Sequence, residues 1–447
     1  MRTTKSAGNM VDIKIVVGAN YGDEGKGLIT DFVCRRAQKQ HGASVVNVLA
    51  NGGCQRGHTV VSPDGAAHVF HHFGAGTLAG ADNYFCSRFI VNPMRFVDEL
   101  NTLRKKFGLT PTVLMHKNCR LQFPGDIAAN WYLERARGGN KHGSTGCGIW
   151  ETVKRFKKSQ EDIMNYNAPV SIWGGMTLSQ LVTLPVDEQF DLIEKSGKRW
   201  LELTRLENGL GYDYTDLENL FLNAGFIKHY IEDCKQMYEY VKTLPDDKSI
   251  FTDYRTVVLE YGQGLLLDQE YGADEKVFED YGYSIADKRH TTPSSTGAYD
   301  AAWAVNNCLF VNARLNDVEV IYVTRPYVTR HGAGRFEEDA LLTKMFGNSD
   351  LTNVDNEWQG SIKYGTLSTR SCKHRAKEDF NKFCEKCVGD HYKRMVFALT
   401  HCDQFEDSKT LGDLMENSGL YVSYGPKASD VKFINPPGEK GIHACYE

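Results

Sequence analysis

The feature that most constrains this chain is its opening. The run IKIVV at residues 13–17 leads into a glycine-rich turn, GDEGKG at 22–27, and then into a segment with helical character over residues 26–40. A short apolar, β-branched run bounded by glycine is the pattern of a buried parallel strand. SVVNVLA at 44–50 reads as the next strand. Strand, phosphate-type loop, helix and strand, in that order, open an α/β fold. Runs at 256–260, 318–324, 394–400 and 421–424 are again short, mostly apolar and closed by polar residues. With no internal repeat or linker in view, the pattern predicts one α/β domain over residues 1–447, preceded by a flexible tail at 1–10. Its mostly parallel central sheet is expected to form a P-loop-like nucleotide-binding architecture with helical insertions, chiefly over 151–245. There Ile231, Cys234, Tyr238 and Val241 fall at helical spacing and predict a core-facing stripe.

Composition removes several function classes. The formal net charge is -5, which argues against nucleic-acid and anionic-membrane partners. No stretch approaches the roughly 18 apolar residues of a membrane span. The first twenty residues lack the apolar core of a signal peptide. The 12 cysteines are scattered and read as reduced thiols, which places the chain in the cytoplasm. Cys384 and Cys387, with His391, form half of a zinc-type spacing and read as structural thiols.

Two motifs carry chemistry. In Gly22-Asp23-Glu24-Gly25-Lys26-Gly27 the glycines let backbone N–H groups close on phosphate oxygens, with a helix N-terminus and the Lys26 charge behind them. A Walker A loop would place glycine where Asn20 stands and Ser or Thr where Gly27 stands. Asp23 repels phosphate, but it suits a magnesium ligand or a proton acceptor. In Gly52-Gly53-Cys54-Gln55-Arg56-Gly57-His58-Thr59, a glycine-flanked histidine follows the second strand. It is placed for general acid work or for contact with a transferring phosphate.

GDEGKG followed about thirty residues later by GGxxxGHTVV resembles the N-terminal signature of the adenylosuccinate synthetase family. Further segments follow in that family's order. His142 to Ile149 resembles its IMP-phosphate loop, Glu260 to Asp268 its EGAQGxxLD segment, and Thr292 to Gly297 its TSSNTTAGG segment. Val328 to Gly334 resembles its STRVGAGP, Thr400-His401-Cys402-Asp403 its TKLD guanine site, and Tyr424-Gly425-Pro426 its STGP.

The resemblance implies a ligase that joins IMP and aspartate at the expense of GTP, with Mg²⁺, as a homodimer. It implies Asp23, Lys26, His58 and Gln263 as catalytic residues, with Asp23 and the Gly57 carbonyl on the metal. Gly22, Glu24, Gly25, Gly27, Thr59, Asp403, Gly425 and Pro426 would hold the nucleoside triphosphate. Gln55, Ser144, Thr145, Gln263 and Thr296 would hold the monophosphate, with Arg155 lent across the dimer interface. Arg330 and Lys363 would hold the amino acid.

The chain departs from the family at three places. The arginine run of the aspartate loop is replaced by residues 359–367, where Lys363 is the sole cation; Arg370 and Arg375 are possible substitutes. Gln55-Arg56 stand where the family has Asn-Ala, close to the base and its phosphate, and His401 replaces a lysine. These changes resemble divergent viral members that act on dGMP with ATP to build a 2-aminoadenine nucleotide. Those members replace the loop aspartate by serine, whereas Asp23 and Asp403 are kept here. The alternatives left open are that viral-type reaction and a non-catalytic nucleotide-binding regulator. Cys147, inside the monophosphate-type loop, is assigned no reactivity.

Overall fold

The computed structural model describes residues 10–42, 44–166, 172–209, 211–271, 291–292, 294–334, 336–346, 358, 360–405, 408–415 and 419–435. The expected tail lies outside these residues apart from Met10, and so do Pro293 and Gln359.

The opening segment folds as its pattern predicts: β1 (Met10–Gly18), α1 (Lys26–His41) and β2 (Val45–Leu49). A ten-stranded sheet surrounds them. Across it run Val431–Ile434, Leu420–Ser423, Lys393–Leu399, Arg314–Thr324, β1, Thr256–Glu260, β2, Asp82–Phe85, Val113–His116 and Lys242–Leu244. Every neighbouring pair is parallel except the first, which is antiparallel at the sheet edge. The four later runs read from sequence are all strands of this sheet.

Both faces of the central strands are covered, which is why they read as continuous apolar runs rather than alternating ones. Val257 and Leu259 point into one core with Ile13, Ile15, Val46 and Val320. Val258 points to the opposite face, where Ile29 and Val33 of α1 pack with Ile321 and Val396. The span 151–245 is mainly helical, as expected, with helices at Ile149–Tyr166, Leu178–Val182, Val186–Glu207, Thr215–Phe221 and Ala224–Tyr240. The predicted stripe needs one correction. Ile231, Cys234 and Val241 are buried, but Tyr238 is 39% exposed. The helix ends at Tyr240, so Val241 enters the core from extended backbone, and Met237 fills the position that Tyr238 was expected to share. Among the described residues no helix is long and apolar enough to cross a membrane.

One buried carboxylate ties the helix Thr369–Lys386 to the sheet and to the turn at 296–299. Asp379 accepts from the hydroxyls of Tyr271 (2.9 Å) and Tyr322 (2.7 Å) and from the N–H groups of Ala298 (2.7 Å) and Tyr299 (3.2 Å). Burial pushes its carboxyl up to about 6, against the pull of those donors. The native state therefore keeps a proton that the unfolded chain releases near 3.8. This contribution to stability is complete below that value and is lost as the pH rises through about 6. Asp379→Asn turns an amide N–H₂ towards four donors, so it is expected to lower Tm at neutral pH. It is also expected to flatten, between about pH 4 and 6, the dependence of Tm on pH. Asp31, raised into the same range by burial, keeps the slope from vanishing. A slope identical to that of the unaltered protein in thermal melts would exclude Asp379 as its source.

Candidate active site

Ligands of open α/β sheets bind beyond the carboxyl ends of the strands. Here the loops after β1, β2, Thr256–Glu260, Arg314–Thr324, Lys393–Leu399 and Leu420–Ser423 all leave from that edge. Most residues expected from sequence lie on these loops or the elements they lead into; Ser144, Thr145, Arg155 and Lys363 lie elsewhere.

The loop after β1 is folded around Glu24. Its buried carboxylate accepts from the N–H groups of Asn20 (3.0 Å) and Gly22 (2.8 Å) and from Lys26 Nζ (2.7 Å). Glu24 therefore clamps the loop from inside with its side chain, which leaves its backbone N–H for a nucleotide contact. Asp23 is turned the other way. It holds a left-handed φ of 60° and its side chain is 28% exposed. Gly25, at φ 91°, caps α1 without a side chain, and no acidic residue stands in the first turn. The Ile29 N–H returns to the Gly25 carbonyl (3.2 Å). The N–H groups of Lys26, Gly27 and Leu28 precede that first bond, the usual arrangement for an anion at a helix start. Gly27 has a packing reason as well: a Cβ there would lie 2.7 Å from the Thr59 carbonyl oxygen.

The loop after β2 delivers His58. Its Nδ1 meets Glu260 Oε1 at the end of strand Thr256–Glu260, and Glu260 Oε2 accepts from the Ala75 N–H (3.0 Å). Burial pushes His58 down, Arg56 and Lys26 add to this, and Glu260 opposes it without prevailing. Burial pushes Glu260 up, but His58, Arg56 and the Ala75 N–H together hold it below the ordinary carboxylate range. The pair is thus a neutral imidazole donating from Nδ1 to a carboxylate, with Nε2 unbonded by protein among the described residues.

Arg56 is a buried guanidinium whose Nη1 has no hydrogen-bond partner among the described residues. It is 5% exposed, donates from Nη2 to the Glu260 carbonyl (3.0 Å) and lies over the Phe89 ring. Gln55 folds back to accept from the Gly53 N–H (2.7 Å). Gly57 is exposed, and Thr59 lies on the short ribbon of His58–Val61 with Ala67–Phe70.

Gln263, also at a left-handed φ (67°), follows Glu260, and its Oε1 is buried without a hydrogen-bond partner. Thr296 braces this loop instead of lining a pocket, which corrects its expected contact with the monophosphate. It is fully buried; its hydroxyl donates to the Gly264 carbonyl (2.9 Å) and its N–H to Asp268.

Arg155 is the clearest correction. It is 1% exposed and forks onto Asp126 (2.6 and 2.9 Å), with further bonds to the carbonyls of Leu121, Trp173 and Gly174. A guanidinium enclosed in this way has nothing to offer across an interface. Ser144 pairs with Asn130 (3.2 Å), and Thr145 is half-buried beside it. The 142–148 loop docks onto the turn after Tyr327–Arg330: a Cβ on Gly143 would lie 2.5 Å from Gly332 Cα, and the Ala333 N–H donates to the His142 carbonyl (3.2 Å).

That turn brings Arg330 and Lys363 into register on neighbouring antiparallel strands. Arg330 lies over the Tyr21 ring, and Lys363 reaches the Gly332 carbonyl (3.5 Å). His331 Nε2 stands 3.7 Å from Asp23 Oδ2. Of the two possible substitutes for the arginine run, Arg375 is buried against Asn20 (2.8 Å) and Arg370 is exposed.

The last two loops close on the first. Thr400 Oγ1 donates to the Glu24 carbonyl (2.6 Å), and the Cys402 N–H donates to the Ser423 carbonyl (3.0 Å). Asp403 and Pro426 are exposed beside them, and Gly425 lies against Asp430.

A family model described as adenylosuccinate synthetase matches residues 15–360. The chain belongs to the adenylosuccinate synthetase family. The synthetase of Mycolicibacterium smegmatis is 26% identical over 347 residues, covering 76% of this chain and 69% of the relative. That of Mycolicibacterium vanbaalenii is 28% identical over 346 residues, with the same coverage. Two solved structures share the fold. One is the cyanophage S-2L succinoaminodeoxyadenylate synthetase bound to dGMP and dATP, with a TM-score of 0.55 at 15% identity over 95% of this chain and 96% of that one. The other is the fully ligated Plasmodium falciparum adenylosuccinate synthetase, with a TM-score of 0.54 at 16% identity over 96% and 87%.

As a member of this family the chain is a nucleotide-dependent ligase that forms a C–N bond. Glu260 is the synthetase residue that motif reading quoted without giving it a part. The signal was present: a carboxylate ending a wholly buried strand, TVVLE, must have a partner. Glu260→Gln keeps the shape and removes the charge. It is expected to lower kcat by about 10²-fold with the triphosphate KM within about threefold. Steady-state kinetics showing an unaltered kcat would mean that His58 needs no orienting carboxylate.

Proposed function

We propose that this ligase phosphorylates the purine oxygen O6 of IMP with GTP and then replaces the phosphate by the amine of aspartate. The observation that carries the reading is the division of labour between the two carboxylates of the first loop. Glu24 is consumed within the loop, while Asp23 is turned out of it. A loop that only held phosphate would have no use for an outward carboxylate. A loop that also removes a proton would.

In this reading Asp23 takes the N1 proton, O6 becomes nucleophilic and attacks the γ-phosphorus, and the diphosphate leaves. A phosphate arriving at His58 Nε2 adds the negative charge that favours the imidazolium, with Glu260 as its counter-ion. Lys26 and the free N–H groups of α1 hold the triphosphate, and Gln263 turns its unsatisfied Oε1 to the base. Ser144 and Thr145 hold the monophosphate, Arg330 and Lys363 the amino acid. Asp403 accepts from the guanine N1–H and 2-amino group, donors that adenine lacks. The amine then attacks C6 and phosphate departs.

Asp23 and the Gly57 carbonyl are hard oxygen donors and fit Mg²⁺. Bound there, the ion screens charge on the transferring phosphoryl group. We place this reaction of soluble nucleotides in the cytoplasm and assign a homodimer, with a residue other than Arg155 at any shared site.

The departure at residues 359–367 favours one second reading, the dGMP reaction of the viral type. Retention of Asp23 weighs against it, and the two solved folds match almost equally well.

The deciding assay is product mass with GTP or ATP, IMP or dGMP, and aspartate. IMP plus aspartate minus water, formed with GTP, is the expected product. A dGMP adduct would move the chain to the second reading, and no adduct with either would overturn both. Asp23→Asn is expected to abolish turnover, a fall of at least about 10³-fold, while monophosphate binding measured by calorimetry persists. Near-normal turnover would remove Asp23 as the base.

A further inference from the structure

The 142–148 loop, which carries Ser144 and Thr145, is held at both ends by the segments that carry Arg330 and Lys363. At one end Gly143 meets Gly332. A Cβ on Gly143 would lie 2.5 Å from Gly332 Cα, and one on Gly332 would lie 2.8 Å from the Gly143 carbonyl oxygen. At the other end Gly146 meets two indoles. Trp131, on the helix Pro124–Arg137, donates from Nε1 to the Gly146 carbonyl (2.9 Å). Trp358 covers the Gly146 Cα, since a Cβ there would lie 3.1 Å from both Cδ1 and Nε1 of that ring. The two rings pack against each other with centroids 4.7 Å apart and planes tilted by 39°, within the range where aromatic pairs attract. Lys141 Nζ lies 5.9 Å from the centre of the Trp358 ring, a cation–π distance. The Gly146 N–H donates to Ser144 Oγ (3.4 Å), so the indole covers the same turn that presents Ser144.

Only residues 359–361 separate Trp358 from Ile362, which is buried with Tyr327, Leu342, Phe346 and Tyr364. Lys363 follows Ile362 and pairs with Arg330, and Gly332 stands two residues beyond Arg330. Both cationic side chains are therefore tied, by short lengths of chain, to opposite ends of the 142–148 loop.

We propose that Trp358 is a positioning residue that couples the amino-acid site to the monophosphate site, so that each substrate tightens the binding of the other. The inference rests on the assignment of Ser144 and Thr145 to the monophosphate and of Arg330 and Lys363 to the amino acid.

The altered stretch 359–367 offers one cation, and lysine is a flexible point charge with much rotamer freedom to lose. Its affinity for a carboxylate depends on how well its backbone is already placed. A monophosphate that settles on Ser144 and Thr145 fixes the 142–148 loop, and with it the Trp358 ring and the Gly332 turn. Ordering supplied by the first ligand is not required again by the second. Gly146 suits this contact twice over: its φ of 72° disfavours a side chain, and a side chain would strike the ring.

Coupling is reciprocal, so it is measurable from the monophosphate side alone. Calorimetry on the full-length protein, without triphosphate, gives the IMP Kd with and without saturating aspartate. In the wild type, aspartate is expected to lower that Kd at least about fivefold. Trp358→Ala is expected to bring the factor below about twofold, with the IMP Kd in the absence of aspartate within about threefold of wild type. Trp358→Phe, which keeps a ring against Trp131, is expected to retain at least about half of the factor. Should the alanine variant fail to fold, Trp358→Leu, apolar but without a ring, makes the same comparison. An alanine or leucine variant with the wild-type factor would overturn the proposal. So would one whose IMP affinity falls equally with and without aspartate, the result of a merely structural role. A wild-type protein that binds IMP but ignores aspartate would overturn the coupling and leave the monophosphate site in place. One that binds neither IMP nor dGMP would overturn the assignment beneath it; if dGMP alone binds, it replaces IMP in the same comparison.

Discussion

A carboxylate buried at the end of a central strand has to be satisfied from every side, and Glu260 organises this structure around that demand. One oxygen takes His58 and the other takes the Ala75 N–H. Its carbonyl receives Arg56, whose own carbonyl accepts from His71 Nδ1. The loop after β2 is thereby fastened to the neighbouring strand at Arg56 and His58. An unpaired charge at that depth would cost several kcal/mol. The network therefore rules out conformations in which the imidazole swings away.

The loops at the sheet edge also carry backbone strain. Asp23, Gln263 and His401 are non-glycine residues at left-handed φ, and each stands on a loop that faces the same gap. Such conformations cost of order 1–3 kcal/mol each and persist where the surroundings over-determine them. Here the surroundings are identifiable. Glu24 holds the first loop by two N–H groups, Thr296 and Asp268 hold the second, and Thr400 bonds the third to the Glu24 carbonyl. Rigid loops with outward-facing groups are what a positioned reaction needs, because little reorganisation is left for the chemical step.

The strands were legible because a parallel strand covered on both faces is a short, uninterrupted apolar run with a polar residue at its exit. That simple rule located β2, Thr256–Glu260 and Lys393–Leu399 to within a residue, and the centre of β1, which begins three residues earlier than its apolar run. The helix Ala224–Tyr240 was legible by its spacing up to its last turn, where the end of the core decided the fate of Tyr238. The parts of individual polar residues were less legible. Glu24, Thr296 and Arg155 have the composition of ligand contacts, yet each is buried and spent on a neighbour. Arg56 read as a charge beside the substrate, and its Nη2 braces the Glu260 carbonyl while its Nη1 is left without a partner among the described residues.

The sequence by itself determined the α/β architecture, the order of the loops along the chain and the residue types available on each. Those follow from periodicity and from motifs contiguous in the chain. Only the tertiary structure decided which carboxylate of the pair Asp23 and Glu24 faces outward, that Glu260 orients His58, and that Arg155 is locked to Asp126. Glu260 is 202 residues from His58 and Asp126 is 29 from Arg155. Hydrogen bonding and burial across such separations depend on where the packed sheet brings the loops, and no local pattern encodes that.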